Sequence, residues 1–152
     1  MIGSVDGDIF LKNHHLKNEV FGPFSLIVKC KNLEEINKVI LSIKGQLTGS
    51  IFANEIELKT ISKTIDLLKS KVGRIIYNGV PTGVEVCTSM HHGGPFPASS
   101  DSRFSAVGSD AIKRFVRPIS YQSFPQEMLP DELKDENPLN ILRNVNGALT
   151  KN

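Results

Sequence analysis

Between residues 24 and 80 the chain alternates stretches of period-two and period-3.6 hydrophobicity, and that alternation leaves few folds open. FSLIVKC (24–30) sets Phe24, Leu26, Val28 and Cys30 against Ser25, Ile27 and Lys29. The second set is only partly polar, so a strand covered on both faces is expected. Asn32, with Glu35 three positions on, has capping-box spacing; Ile36, Val39, Ile40 and Ile43 follow on one helical stripe that Gly45 is expected to end. LTGSIFA (47–53) reads as a second strand. Asn54 and Glu57 repeat the start signal ahead of Leu58, Ile61, Ile65 and Leu68, so a second helix is expected to run to about Lys71, with Gly73 stopping it. RIIYNGV, from Arg74, supplies a third strand. The order strand, helix, strand, helix, strand predicts an α/β fold with one parallel-type sheet and right-handed crossovers.

After residue 80 turn formers take over. The stretch Pro81–Ser109 holds four Gly and three Pro, and a loop this long inside a compact domain is usually functional or belongs to a larger structure. Gly93-Gly94-Pro95, followed by Phe96-Pro97, predicts a stiff turn whose backbone approaches something closely, with aromatic and imidazole groups at its rim. Ser109 is expected to cap a short helix (DAIKRFV), and RPISYQSF (117–124) alternates like another strand. Beyond Pro125 the sequence is polar, proline-punctuated and weakly periodic, as expected for a tail that packs on something else.

Composition narrows the function classes. With 152 residues, 39% hydrophobic and 22% charged, the chain has the makings of an ordered domain. Eighteen basic and 16 acidic side chains leave a formal charge of +2, too small for a phosphate-backbone footprint, so no nucleic-acid partner is expected. No apolar run approaches the roughly 20 residues that span a bilayer, and residues 1–20 carry Asp6, Asp8 and Glu19 without a signal-peptide pattern. A cytoplasmic protein with no membrane partner is expected, and two cysteines without CxxC spacing are expected to be reduced thiols.

Few residues offer chemistry by themselves. The pairs His14-His15 and His91-His92 lack metal-site spacing, and no metal is expected. Cys87, His91 and Asp101 supply the residue types of a thiol triad, although proximity in sequence does not create the geometry. Neither GxGxxG nor GxxxxGK[ST] occurs, so no cofactor-phosphate loop is present in the sequence. Glu19 precedes a strand, where a carboxylate is either solvated or held by a partner.

Several segments together resemble the C-terminal part of the NAD(P)-dependent aldehyde dehydrogenase superfamily. Glu19-Val20-Phe21-Gly22-Pro23 is similar to the family's E-x-F-G-P motif, GQLTGSIFAN to its Y-G-L-x-x-S-V-F region, and GRIIYNG to its G-x-V-x-x-N strand. The run from Asn78 to Pro130 resembles the branch that handles 2-oxoglutarate semialdehyde (2,5-dioxovalerate) and long-chain aldehydes, in which H-G-G-P-[FYW]-P-A replaces the common F-G-G-[YF] loop. The resemblance extends from about Asp8 to Gly147. It implies oxidation of an aldehyde to a carboxylate with NAD or NADP. Glu19 would contact the hydroxyls of the nicotinamide ribose, Phe21 would pack beside that ring, and His91, His92, Gly93, Gly94 and Phe96 would line the aldehyde entrance.

Residues 1–116 would be part of a catalytic domain and 117–152 an oligomerisation strand and tail, pairing copies of the chain. The family's cysteine nucleophile, glutamate base and dinucleotide-binding domain have no counterpart, so no catalytic residue is assigned and the chain alone is expected to be inactive. A free-standing, non-catalytic assembly module derived from the same fold is the competing expectation.

Overall fold

The structure, a computed structural model, describes residues 1–81 and 83–151; Thr82 of the long loop and Asn152 of the tail lie outside the described residues. The chain divides into two compact units, Met1–Val116 and Arg117–Asn152.

The first unit contains two parallel strand pairs, each closed by a helical crossover. Strand β1 (Ile2–Asp6) leads through helix α1 (Gly7–Lys12) and a 3₁₀ turn (His14–Lys17) to β2 (Ser25–Lys29). Helix α2 (Leu33–Ser42) connects to β3 (Gln46–Ile51), and helices α3 (Glu55–Thr60) and α4 (Ser62–Lys69) return the chain to β4 (Val72–Tyr77). β1 pairs with β2, and β3 with β4, both in parallel. The expected α/β alternation is present, but its three strands do not share one sheet: β2 pairs with the N-terminal strand, leaving β3 and β4 as a separate pair. Five residues of IGSVD are too few for a clear period-two signal, so β1 escapes sequence inspection.

Local start signals translate directly into structure. At α3 the capping box is complete: Asn54 Oδ1 accepts from Glu57 N–H at 2.9 Å, and Glu57 Oε2 accepts from Asn54 N–H at 2.9 Å. At α2 only half forms. Asn32 Oδ1 accepts from Glu35 N–H at 3.0 Å, but the Glu35 carboxylate takes the Lys31 N–H at 2.6 Å instead. The single helix expected over 54–71 breaks at Ile61, whose φ of −98° and ψ of 14° fall outside the helical range, next to β-branched Thr60.

Neither Gly45 nor Gly73 performs the helix-stop role expected of it. α2 ends at Ser42 with extended Ile43 as its C-cap, and Lys71 Nζ donates to the Leu41 and Ile43 carbonyls, each at 2.9 Å. A cation at a helix C-terminus satisfies orphan carbonyls and complements the dipole. Gly73 lies inside β4.

Helix α1 packs on α2, α2 on α4, and α4 on β4, with Thr64 Oγ1 donating to Asn37 Oδ1 at 2.7 Å between α4 and α2. Among the described residues, only Phe10 (5% exposed) and Val72 (8%) are buried apolar side chains. The strand expected to be covered on both faces is covered on one: Leu26 and Val28 are half-buried, whereas Ser25, Ile27 and Lys29 are exposed, because the helices pack against one side only. Half-buried Cys30 has its thiol pushed up by burial and, secondarily, by the Glu35 carboxylate. No helix among the described residues is long and apolar enough to cross a membrane.

Residues 109–114 form a 3₁₀ turn in place of the expected helix, and Gly108, not Ser109, is its N-cap. In the second unit 117–124 forms no strand among the described residues, and Ser123, with φ 53°, bends the segment where a strand is expected. The segment beyond Pro125, expected to be a tail, contains a hairpin, β5 (Arg143–Val145) with β6 (Ala148–Thr150). Its turn residues Asn146 (φ 53°) and Gly147 (φ 87°) both take the positive φ that a type I′ turn requires. Buried Asn137 organises this unit: its Nδ2 donates to the carbonyls of Ile141 (3.0 Å) and Lys151 (2.6 Å), and its Oδ1 accepts from Ile141 N–H. Arg143 donates to the Lys134 and Asp135 carbonyls.

Candidate functional site

The loop carrying the two histidines and two glycines lies across the N-terminal ends of β3 and β4, backbone against backbone. A Cβ on Gly73 would sit 1.8 Å from the Gly93 carbonyl oxygen, one on Gly45 2.0 Å from that of Pro95, and one on Gly94 2.4 Å from that of Gln46. No side chain fits at such separations, which is why glycine occupies both sides of the contact. The close approach expected of Gly93-Gly94-Pro95 is therefore present, and Gly45 and Gly73 are its other half. A sequence signal for the latter existed: glycine inside a strand weakens it unless another backbone comes close.

Ser105, 4% exposed, pins the loop from behind. Its Oγ accepts from the His92 N–H at 3.0 Å and the Val107 N–H at 3.3 Å, and donates to the Val107 carbonyl at 2.5 Å. Ala106 N–H bonds to the His92 carbonyl at 2.9 Å, and Ser99 Oγ to that of Gly94 at 2.6 Å. Nothing in the sequence distinguishes Ser105 from neighbouring serines. Ser105→Ala strips the buried His92 N–H of its acceptor; we expect a loss of about 1–3 kcal/mol in a urea melt, together with faster exchange of the His92 amide. Unchanged exchange there would contradict the pinning role.

The candidate residues reach different surroundings. Gly93 and Gly94 are buried, His91 and His92 half-buried, and Phe96 stands 81% exposed beside a cis peptide to Pro97. Glu19 is exposed and makes no hydrogen bond or ion pair among the described residues. It lines a cavity of about 450 Å³ with Lys17, Lys44, Gln46, Thr48 and Pro97. A neighbouring cavity of about 540 Å³ is lined by Lys44, Gly45, Lys71, Pro95, Phe96 and Pro97. Lys44, Gly45 and Pro97 border both, so the glycine-seated loop is the wall between them. Glu19 and Phe96 are thereby brought to the two sides of one partition. Phe21, 94% exposed, and His91 and His92 line neither cavity.

The thiol triad does not assemble. Cys87 Sγ lies 3.5 Å from Ser89 Oγ, and both Asp101 oxygens are taken by Arg103 at 2.6–3.2 Å. Hydrogen bonds from the Arg103 side chain, then from its backbone, hold the Asp101 carboxyl down at about 2. Such a carboxylate is poorly suited to orient a histidine base. Among the described residues no group of three His, Cys, Asp or Glu side chains is placed to hold a metal ion.

A carboxylate with uncommitted oxygens at the edge of a cavity can accept hydrogen bonds from a polyhydroxylated ligand, and the two lysines beside it favour one that is also anionic. No family model matches the chain. It is 49% identical over 140 residues to alpha-ketoglutaric semialdehyde dehydrogenase of Acinetobacter baylyi, a match covering 92% of this chain and 27% of that protein. It is 45% identical over 139 residues to alpha-ketoglutaric semialdehyde dehydrogenase 2 of Azospirillum brasilense, covering 91% and 26%. The similarity suggested by the motifs is thus borne out, and the chain spans about a quarter of the length of the curated relatives it matches. By name both relatives are oxidoreductases acting on an aldehyde.

Proposed function

We propose that this chain is the C-terminal portion of an aldehyde dehydrogenase that oxidises 2-oxoglutarate semialdehyde, or a related aldehyde, to the carboxylate with NAD or NADP. The observation that carries this reading is the 49% identity maintained over 92% of the chain, which includes both the E-x-F-G-P and the H-G-G-P-F-P segments. The nicotinamide cofactor would supply the hydride acceptor. Glu19, with its oxygens free, fits the role of hydrogen-bond acceptor for the ribose hydroxyls, and exposed Phe21 offers an aromatic face beside them. The seated loop of His91, His92, Gly93, Gly94 and Phe96 forms one wall of the aldehyde approach. The nucleophile would come from outside these 152 residues.

Met1–Val116 would contribute to a catalytic domain. Residues 117–124 make no backbone hydrogen bonds among the described residues, so they are available to pair with a second copy of the chain.

A chimera tests the reading. The chain replaces its matched segment in the Acinetobacter baylyi enzyme, and NAD(P)+ reduction is followed with 2-oxoglutarate semialdehyde. Turnover is expected, with Glu19→Ala lowering kcat/KM about 10- to 100-fold, as loss of a charge-assisted hydrogen bond entails. A folded but inactive chimera would overturn the proposal, as would turnover by the 152-residue chain alone.

A further inference from the structure

Among the described residues, two buried polar atoms of the β3–β4 pair have no hydrogen-bond partner: Ser50 Oγ and Arg74 Nε. The parallel register sets Thr48 opposite Arg74 and Ser50 opposite Ile76, and strand alternation then places Thr48, Ser50 and Arg74 on one face. Gln46 and Thr48 of the same strand line the cavity that holds Glu19; Arg74 lies opposite Thr48, and Ser50 is one step further along β3, opposite Ile76.

The Arg74 guanidinium is only partly used. Nη1 donates to the Gly83 carbonyl at 3.1 Å and approaches Met90 Sδ at 3.9 Å. No carboxylate pairs with it among the described residues. Arg143, whose Nε is likewise unpartnered, differs in having both terminal nitrogens bound to backbone carbonyls. A half-buried guanidinium with free N–H groups and no counter-charge is costly unless an anion completes it, and its fork geometry matches a carboxylate. A serine hydroxyl on the same face supplies a further donor.

We propose that Arg74 and Ser50 form a seat for the carboxylate of a short 2-oxo acid, on the β3–β4 face that also carries Thr48. The proposal rests on the aldehyde-oxidation reading and deepens it: an aldehyde that also carries a carboxylate is held by that carboxylate on β3 and β4. Arg74 selects acid-bearing aldehydes over neutral ones, and the loop residues Gly83 and Met90 that touch it close the seat.

The test follows the ¹⁵N–¹H resonance of the Arg74 Nε and the Ser50 amide, with this segment alone labelled, in the Acinetobacter baylyi chimera described above, titrated with 2-oxoglutarate. Arg74→Lys, which removes the Nε signal, makes the assignment. Saturable movement of both resonances is expected, with none on addition of 1,5-pentanediol. Ser50→Ala should weaken binding several-fold, and Arg74→Lys, read at the Ser50 amide, at least about tenfold. No saturable shift, an equal response to sulfate, or unchanged affinity in Arg74→Lys would overturn the seat. The two proposals fail separately: an inactive chimera with a responsive Arg74 resonance sinks the aldehyde reading and leaves an acid-binding site. An active chimera in which Arg74→Lys leaves the KM ratio of semialdehyde to neutral aldehyde unchanged sinks the seat alone.

Discussion

Gly73→Ala is expected to unseat the 91–97 loop and destabilise the chain by at least about 3 kcal/mol, at the upper end of the overpacking range. The reason is the identity of the obstacle. The new Cβ would sit 1.8 Å from the Gly93 carbonyl oxygen and 2.6 Å from its carbon, and both are backbone atoms that no rotamer change can move aside. Either β4 shifts away from β3 or the loop lifts from both, and in each case Ser105 loses its line to the His92 N–H. Urea melts report the energy, and hydrogen exchange at His92 and Ala106 reports the place. Gly83→Ala is the control: nothing lies within 4 Å of its Cβ position, so a change within about 1 kcal/mol is expected. A Gly73→Ala chain with wild-type stability and wild-type protection at those two amides would refute the seated loop.

The second large effect concerns the chain as a whole. With Phe10 and Val72 its only buried apolar side chains among the described residues, and Phe21, Ile56, Phe96 and Phe115 all more than 80% exposed, it presents far more apolar surface than soluble monomers tolerate. The 152-residue chain alone is expected to self-associate at micromolar concentration, to bind a hydrophobic dye such as ANS strongly, and to associate further in sulfate, which strengthens apolar burial. Sedimentation velocity decides the matter; a single monomeric boundary with no dye response would contradict it. In the chimera proposed above the same side chains should be covered, and the dye signal should fall.

Sequence legibility follows the range of the forces involved. Both asparagine caps are legible because a cap is a contract between residues three apart, and nothing distant enters it. The Glu35 half of the first box is not, since its carboxylate takes the Lys31 N–H in place of the N-cap N–H. Asn146-Gly147 carried a hairpin signal, but the flanking strands are only three residues each and too short to show alternation. Gly93 and Gly94 could be recognised as a close-approach turn because no helix ends there to explain them otherwise. Gly45 and Gly73 each had a local explanation at hand, and it was the wrong one.

The sequence by itself determined the alternation of elements between residues 24 and 80, where helices α2 and α3 begin, and the likeness to a semialdehyde dehydrogenase segment. These rest on periodicity, capping and motif, all of which act along the chain. Tertiary structure alone decided that the strands form two pairs, that Gly45 and Gly73 receive the loop instead of ending helices, that Ser105 pins it, and that Ser50 and Arg74 share a face with unmet hydrogen bonds. Each of those depends on which backbone comes to lie against which, and a contact between residues 13 or more apart leaves no mark in the spacing of either partner.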